Sequence, residues 1–488
     1  MNFSIFTLGC KLNQLESEAI ADSFRKAGFR LVPWDARSEN PRIIIVNTCT
    51  VTSKADQKAR RMIRKLLKDN PESPVIVTGC YAQLDAVEIE ALEEQNFTTE
   101  LHGVTRSFDT KIFSPSVSSV SSVVNYSSLT AHRKRLFVIG GGKGGATKTT
   151  LLSLPEYLSN AIEKDENLSG VIARFFESAV HSDSVFDFKP EDFSFHSRGY
   201  LKIQDGCDNN CAYCRVRLAR GHSVSLNHDA VLERLRAFEE KGCAELFITG
   251  VNITQYRDND IDLAGLLQLL LDGTGKIFLR LSSLEPERID EKLASVLAHP
   301  RIRPHFHVSA QSGSDAILKS MNRMYDSRAL EKAITLLRSV KDNPFIACDI
   351  ITGFPGETEE EFARTLAFCE KINFAWIHAF PYSKRPGTAA FSFGDPVRDS
   401  DKTRRMEILG ETALRGKREY AKAWIGKELS AVVENTPCAT NQCRAVSENY
   451  LKLLVNCNGE PPSPGSVIRC TPVSLSEDEN IDAMADEE

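Results

Sequence analysis

The first hundred residues alternate short, mostly apolar runs with longer segments that are apolar on one face only. The runs at 4–8, 43–47 and 75–78 are mostly apolar, the latter two rich in isoleucine and valine, as expected of buried strands. Helical periodicity follows at 15–27 and 55–68. This β–α alternation predicts a small parallel α/β domain over residues 1–113. The alternation resumes at Gly199, with strand-like runs at 200–204, 244–249, 276–281, 305–308, 346–351 and 375–380. These predict a TIM-type barrel, full or partial, over 199–425. Shorter β-rich runs at 429–434, 450–456 and 467–472 predict a small RNA-binding β-barrel over 426–475. Residues 114–128 form a Ser/Val stretch with linker composition. The whole of 114–198 fits neither neighbouring pattern and is expected to be a linker and insertion. The acidic segment 476–488 is expected to be a disordered tail.

Composition narrows the class. A chain of 488 residues with 42% hydrophobic content is globular and holds about three domains. It contains no uninterrupted apolar run of about 18 residues, and the start lacks the basic and apolar regions of a signal peptide. A cytoplasmic protein with no membrane partner is therefore expected. Thirteen cysteines, an odd number, then read as ligands and thiols, not as a disulfide framework. The net charge of −6 speaks against nucleic acid only if the charge is evenly spread, and it is not.

Two groups of cysteines carry candidate chemistry. Cys207, Cys211 and Cys214 lie in Gln-Asp-Gly-Cys-Asp-Asn-Asn-Cys-Ala-Tyr-Cys, a CxxxCxxC loop with Tyr213 before the last thiol. Four-thiolate clusters are coordinatively closed. Three thiolates leave one iron open to an amine and carboxylate chelator such as S-adenosylmethionine. Zinc would need a fourth ligand at finger spacing, and none stands nearby. The second group is dispersed. Cys10, Cys49 and Cys80 each follow a predicted strand directly, and ligands gather at the carboxyl ends of strands in open α/β sheets. The alternative is three small buried thiols. Cys243, Cys348, Cys369, Cys438, Cys443, Cys457 and Cys470 read as core or surface thiols.

With both triads placed, the chain resembles the radical S-adenosylmethionine methylthiotransferases, whose C-terminal barrel is the TRAM domain. The likeness covers 1–110 and 199–475. Thr-Leu-Gly-Cys-Lys-Leu-Asn-Gln at 7–14 and Asn-Thr-Cys-Thr-Val-Thr-Ser-Lys-Ala-Asp at 47–56 resemble the branch acting on N6-threonylcarbamoyladenosine of tRNA. The Tyr-Gly-Cys-Gln-Met-Asn of the isopentenyladenosine branch and the Leu-Gly-Cys-Pro-Lys-Asn of the ribosomal-protein branch are absent. The resemblance implies two [4Fe–4S] clusters. One, on Cys207, Cys211 and Cys214, reduces S-adenosylmethionine to methionine and a 5′-deoxyadenosyl radical that takes hydrogen from C2 of the adenine. The other, on Cys10, Cys49 and Cys80, presents the sulfur that is methylated and transferred. It also implies an electron donor such as flavodoxin or ferredoxin and a sulfur source as partners.

Further residues are expected at these sites. Gly250, Val251 and Asn252 match the family's approach to the methionine end of the cofactor. Ser309, Gln311, Ser312 and Asp349 offer polar groups at later strand ends, with the turn 352–356 beside them. Lys54, Lys58, Arg60, Arg61, Arg64, Lys65 and Lys68 fall on one predicted helix with only Asp56 to offset them. They are candidate phosphate contacts for tRNA. Arg217, Arg220 and His222, after the cluster loop, are further candidates.

A competing motif lies at 136–150, Leu-Phe-Val-Ile-Gly-Gly-Gly-Lys-Gly-Gly-Ala-Thr-Lys-Thr-Thr. It resembles the deviant phosphate loop of partitioning ATPases, with Lys143 and Lys148-Thr149. Thr147 stands where the last glycine of a standard phosphate loop belongs. A flexible insertion loop is therefore favoured, one in which Lys148 is dispensable for tRNA modification. A phosphate-loop ATPase or iron–sulfur carrier, and a non-catalytic iron–sulfur RNA-binding module, are the readings against which the enzyme is weighed.

Overall fold

The structure, a computed structural model, describes residues 1–34, 40–93, 134–140, 147–161, 167–178, 184–476 and 481–486. The Ser/Val stretch and the glycines at 141, 142, 144 and 145 lie outside the described residues. The chain divides into two compact units, residues 1–190 and 191–488.

The first unit is built on a parallel sheet of β1 (Asn2–Thr7), β2 (Arg30–Leu31), β3 (Ile43–Thr48), β4 (Val75–Gly79) and β5 (Leu136–Val138). Its order is β2-β1-β3-β4-β5. Strand β3 shows why both faces are covered. Ile43 and Ile45 pack on one side with Phe24 and Ile20 of α1 (Lys11–Lys26). Ile44 and Val46 pack on the other with Ile63 and Leu66 of α2 (Ser53–Asp69). In this doubly wound order the strand sequence reverses between β1 and β3, and the crevice at their carboxyl ends is the natural ligand site.

The expected insertion loop is corrected by this unit. Residues 136–138 pair with β4 as the fifth strand. Helices Leu154–Ala161 and Leu168–Ser178 contribute Leu154, Leu158, Val171, Ile172 and Phe175 to the core shared with α1. The pattern is hard to read because these helices are short and separated by polar segments. Lys148 is not a phosphate ligand in waiting. Its ammonium pairs with the Glu16 carboxylate and lies 5.6 Å from the Phe188 ring centre. Glu16 is 1% exposed. Lys148→Ala leaves that buried carboxylate without its ammonium and should destabilise the first unit by on the order of 3 kcal/mol. Denaturant unfolding of the first unit checks this. The dispensability expected of Lys148 concerns tRNA modification and does not extend to stability.

The second unit holds an open barrel of six parallel strands. Gly199–Lys202, Glu245–Thr249 and Phe278–Leu281 form one sheet, and His305–Gln311, Phe345–Thr352 and Trp376–Pro381 the other. Parallel bridges at Leu279–Ile302 and Leu284–Val308 join them. Each crossover is helical, for example His228–Glu240 and Glu359–Ile372. The amino-terminal end of this barrel is stoppered by the C-terminal domain. Arg280 donates to Glu245 at 2.7 and 2.9 Å and to the Ser447 carbonyl at 3.1 Å. Tyr450 lies against His305, ring centres 4.0 Å apart. Burial alone would raise the Glu245 carboxyl, but the guanidiniums of Arg280, Arg303 and Arg198 outweigh it and hold it at about 2.

The C-terminal domain is a closed barrel of Leu429–Val433, Gln442–Ser447, Lys452–Asn456, Ile481–Ala485 and Val467–Leu475, in that order. The predicted disordered tail is thus corrected. Ile481–Ala485 is a barrel strand, parallel to Lys452–Asn456 and antiparallel to Val467–Leu475. Ile481 and Ala483 face the core at 2% and 0% exposure. The surrounding acidic run hides this period-two alternation.

Candidate active site and cysteine triads

Strand β6 (Gly199–Lys202) leads into the CxxxCxxC loop at the carboxyl end of the barrel. The loop is clamped by neighbours, not by its own turns alone. Cys207 N–H donates to the Gly221 carbonyl at 3.1 Å, and Ala212 N–H to the Met321 carbonyl at 2.9 Å. Asn322 Nδ2 donates to the Asn210 carbonyl at 2.8 Å. All three thiols are partly buried. Burial, helped by the neighbouring thiols Cys211 and Cys207, pushes the Cys214 thiol up to about 12. Burial likewise raises Cys207 and Cys211, each against hydrogen-bond donors. Burial disfavours bare thiolates at such a site, and a cationic iron cluster would make them stable there. Among the described residues no three Cys, His, Asp or Glu side chains could hold a single metal ion. Three thiols carried on one clamped loop suit a multi-iron cluster with one iron left open.

Beside Cys207, Asn252 places its amide 4.0 Å from the sulfur. Its own N–H donates to Gln204 Oε1 at 2.9 Å. Gly250 makes this possible, because a Cβ there would lie 2.8 Å from that same Oε1 and 2.9 Å from the Gln204 carbonyl oxygen. Gly250→Ala should therefore displace Gln204 and loosen Asn252, at a cost of about 1–3 kcal/mol in overpacking. Equilibrium binding of S-adenosylmethionine to the reconstituted variant, expected to weaken about tenfold or more, checks it.

The other expected cofactor residues divide. Gln311 ends its strand at φ +64°, a left-handed conformation uncommon for a non-glycine residue, and such strain gathers at functional sites. The Ser309 carbonyl accepts from the Tyr325 hydroxyl. Ser312, by contrast, is fully buried and bonded to Thr365 Oγ1 at 2.9 Å, so it fastens a helix to the barrel. The 352–356 turn is also structural. Glu357 accepts from Gly353 N–H at 2.6 Å and from Arg405 at 2.6 Å. Asp349 stands deeper in the barrel than Gln311. It lies 3.2 Å from His307 Nε2, and His307 Nδ1 meets Ser283 Oγ at 2.6 Å. His378 is the register partner of Asp349, its ring centre 5.3 Å from His307. The middle of the barrel is therefore lined with polar groups.

In the first unit the dispersed cysteines meet one sheet edge. Cys10 caps α1, Cys49 follows β3, and Cys80 opens α3 (Cys80–Leu84). Their strands β1, β3 and β4 are neighbours, with Thr7 opposite Asn47 and Thr48 opposite Gly79. A buried amide pair fixes two of the turns. Asn13 Nδ2 donates to Asn47 Oδ1 at 3.0 Å, and Asn47 Nδ2 to the Asn13 carbonyl at 2.9 Å. Gly79 has φ +96°, and a Cβ there would lie 2.2 Å from the Thr48 carbonyl oxygen. Only glycine lets the residue before Cys80 lie so close to Thr48, the residue before Cys49. The edge is the switch point of the sheet. Three thiols there, graded from buried Cys49 to exposed Cys10, suit a cluster with one accessible side.

Helix α2 leaves this edge with Lys54, Lys58, Arg61, Arg64, Lys65 and Lys68 exposed. Arg60 is turned away, bonded to the Tyr81 hydroxyl and to Glu88, both at 2.7 Å. Arg220 is also removed from the RNA candidates. Its side chain is 4% exposed and pairs with Asp205 at 3.1 Å, beside the buried Lys202. Arg217 and His222 stay at the surface, 3.4 Å apart. Of the remaining cysteines, Cys443 and Cys457 sit 3.9 Å apart inside the C-terminal barrel, while Cys438 is exposed. Sequence reasoning missed Gln204, which braces Asn252, and the group of Glu285, Arg323 and Tyr325, which is brought together by tertiary contact and shares no spacing motif.

Comparison with known proteins follows the same division. The Radical SAM superfamily matches residues 201–369, and Uncharacterized protein family UPF0004 matches residues 2–99. The threonylcarbamoyladenosine tRNA methylthiotransferase MtaB of Treponema pallidum (strain Nichols) is 39% identical over 95% of this chain and 97% of its own length. The chain belongs to the radical S-adenosylmethionine methylthiotransferase family. The MtaB protein of Thermotoga maritima is 33% identical over 88% of this chain and 86% of its own. The tRNA-2-methylthio-N(6)-dimethylallyladenosine synthase of Lawsonia intracellularis is 28% identical over 89% and 87%. This methylthiotransferase thus carries two cysteine triads suited to the family's two [4Fe–4S] clusters. Among the described residues no helix is long and apolar enough to cross a membrane.

Proposed function

We propose that this chain is the tRNA methylthiotransferase that converts N6-threonylcarbamoyladenosine, just 3′ of the anticodon, to its 2-methylthio derivative. The observation that carries the reading is the pair of cysteine triads, each at the carboxyl edge of its own parallel sheet, in a chain 39% identical to a protein of that name. When bound, the cluster and S-adenosylmethionine supply the one-electron chemistry that an adenine C–H bond requires. The chain's residues do the positioning. Asn252 and Gln204 brace the loop at Cys207, and Gln311 closes the strand beside it. The half-buried Ser283, His307 and Asp349 and the exposed His378 offer polar partners that suit a base carrying a hydroxyl and a carboxylate better than one carrying a prenyl arm. Cys10, Cys49 and Cys80 hold the second cluster. An electron donor of the flavodoxin or ferredoxin kind and a separate sulfur source complete the reaction, in the cytoplasm.

The exposed lysines and arginines of α2 are the phosphate contacts. Replacing Lys54, Lys58, Arg61, Arg64 and Lys65 by serine should flatten the salt dependence of tRNA binding by roughly 0.7–0.9 in log–log slope for each phosphate no longer neutralised. Filter binding across a salt series reads this directly, and an unchanged slope removes α2 from the interface. The function itself is tested with the reconstituted protein, reductant, S-adenosylmethionine and two tRNAs. Product from the threonylcarbamoyl tRNA alone supports the reading. Product from the isopentenyl tRNA alone moves the chain to the sister branch.

A further inference from the structure

The turn after helix Asp315–Ser320 touches the cluster loop at three points, two of them the backbone clamps from Met321 and Asn322 already described. The third is chemical. Arg323 Nη1 donates to Cys211 Sγ at 3.1 Å. Its side chain is 4% exposed, so this is a charge held in the interior, not a surface lysine or arginine passing by. The rest of the guanidinium is fully committed. Nη2 pairs with the Glu285 carboxylate, and Nε donates to the Tyr325 hydroxyl at 2.9 Å. Tyr325 in turn donates to the Ser309 carbonyl, on the strand that ends in Gln311.

We infer that Arg323 is a positioning residue that sets the reduction potential of the cluster on Cys207, Cys211 and Cys214, with Glu285 as its counter-charge. The potential of an iron–sulfur centre follows its net charge, the hydrogen bonds to its sulfurs and its exposure to water. A buried cation that also donates to a ligand sulfur acts through the first two together, and its field is little screened there. Both effects favour the reduced, more negative cluster and raise the potential. Glu285 opposes them from the far side of the guanidinium, and its removal exposes the cluster to the full positive charge. The network also ties the loop that holds the metal to the strand that offers Gln311, so the two halves of the site move as one body. This inference rests on the cluster assignment, but not on which tRNA is the substrate.

The test is an electron paramagnetic resonance titration of the reconstituted full chain, in a Cys10→Ala, Cys49→Ala, Cys80→Ala background so that one signal remains. Arg323→Met should shift the midpoint to lower potential at unchanged iron content. Arg323→Lys, which keeps the charge without the fork, should fall between it and the parent. Glu285→Gln, measured at pH 8.5 where the parent carboxylate is ionised, should shift the midpoint upward. If Arg323→Met does not load iron, the Glu285→Gln midpoint decides. Midpoints that stay at the parent value in every loaded variant overturn the role of Arg323. Absence of any cluster signal in the background protein itself overturns the cluster assignment instead, so the two failures are told apart.

Discussion

Replacing Cys10, Cys49 and Cys80 together by alanine should abolish the methylthio product while reductive cleavage of S-adenosylmethionine continues. The expectation follows from placement. These thiols sit at the edge of β1, β3 and β4 in the first unit, and no residue of the CxxxCxxC loop belongs to that unit. Their removal also relieves packing instead of straining it, because alanine is smaller than cysteine and only Cys49 among them is fully buried. The first unit should stay folded, since of the three only Cys49 belongs to its core and the rest of that core, Phe24, Ile45, Ile63 and their neighbours, is untouched. Chromatographic measurement of 5′-deoxyadenosine alongside modified nucleoside checks both halves at once. Normal yield of methylthio product from this variant would remove the second cluster from the reaction.

The complementary substitution has the opposite signature. Alanine at Cys207, Cys211 and Cys214 should remove about half of the iron and all formation of 5′-deoxyadenosine. Here no partial activity is expected. The loop presents three ligands and the barrel offers no replacement thiol beside them among the described residues. The nearest candidate donors, Glu285 and Asn252, are committed to Arg323 and to Thr254 and Gln204. Iron analysis and the cleavage assay report on it independently. Iron content at the parent value would overturn the ligand assignment.

Much of this architecture is legible in residue pattern. Strands such as Ile43–Thr48, which opens Ile-Ile-Ile-Val, and Val75–Gly79, which opens Val-Ile-Val, begin as continuous apolar runs, and parallel sheets covered on both faces require that. The cysteines are legible because each stands at a strand end or in a fixed spacing, where backbone geometry alone brings ligands together. What escapes such reading depends on tertiary contact. Strand Leu136–Val138 is only three residues long, and the glycine run after it resembles a phosphate loop. Nothing in the spacing shows that Lys148 pairs with Glu16 across 132 positions of sequence. Ile481–Ala485 carries a strand alternation within an acidic run whose composition argues for disorder. Ser312 does stand at a strand end, but its hydroxyl is spent on Thr365, a tertiary contact that spacing does not show. Arg323 reaches Cys211 across 112 positions, with no motif to announce it.

Whether this chain adds a methylthio group to threonylcarbamoyladenosine of tRNA is decided by mass spectrometry of tRNA nucleosides from cells with and without it. On deletion, 2-methylthio-N6-threonylcarbamoyladenosine should vanish and N6-threonylcarbamoyladenosine should accumulate. The full chain should restore the product, and neither triple-alanine variant should. Loss of the 2-methylthio isopentenyl nucleoside with the threonylcarbamoyl product intact, or no change in either, would rule the proposed activity out.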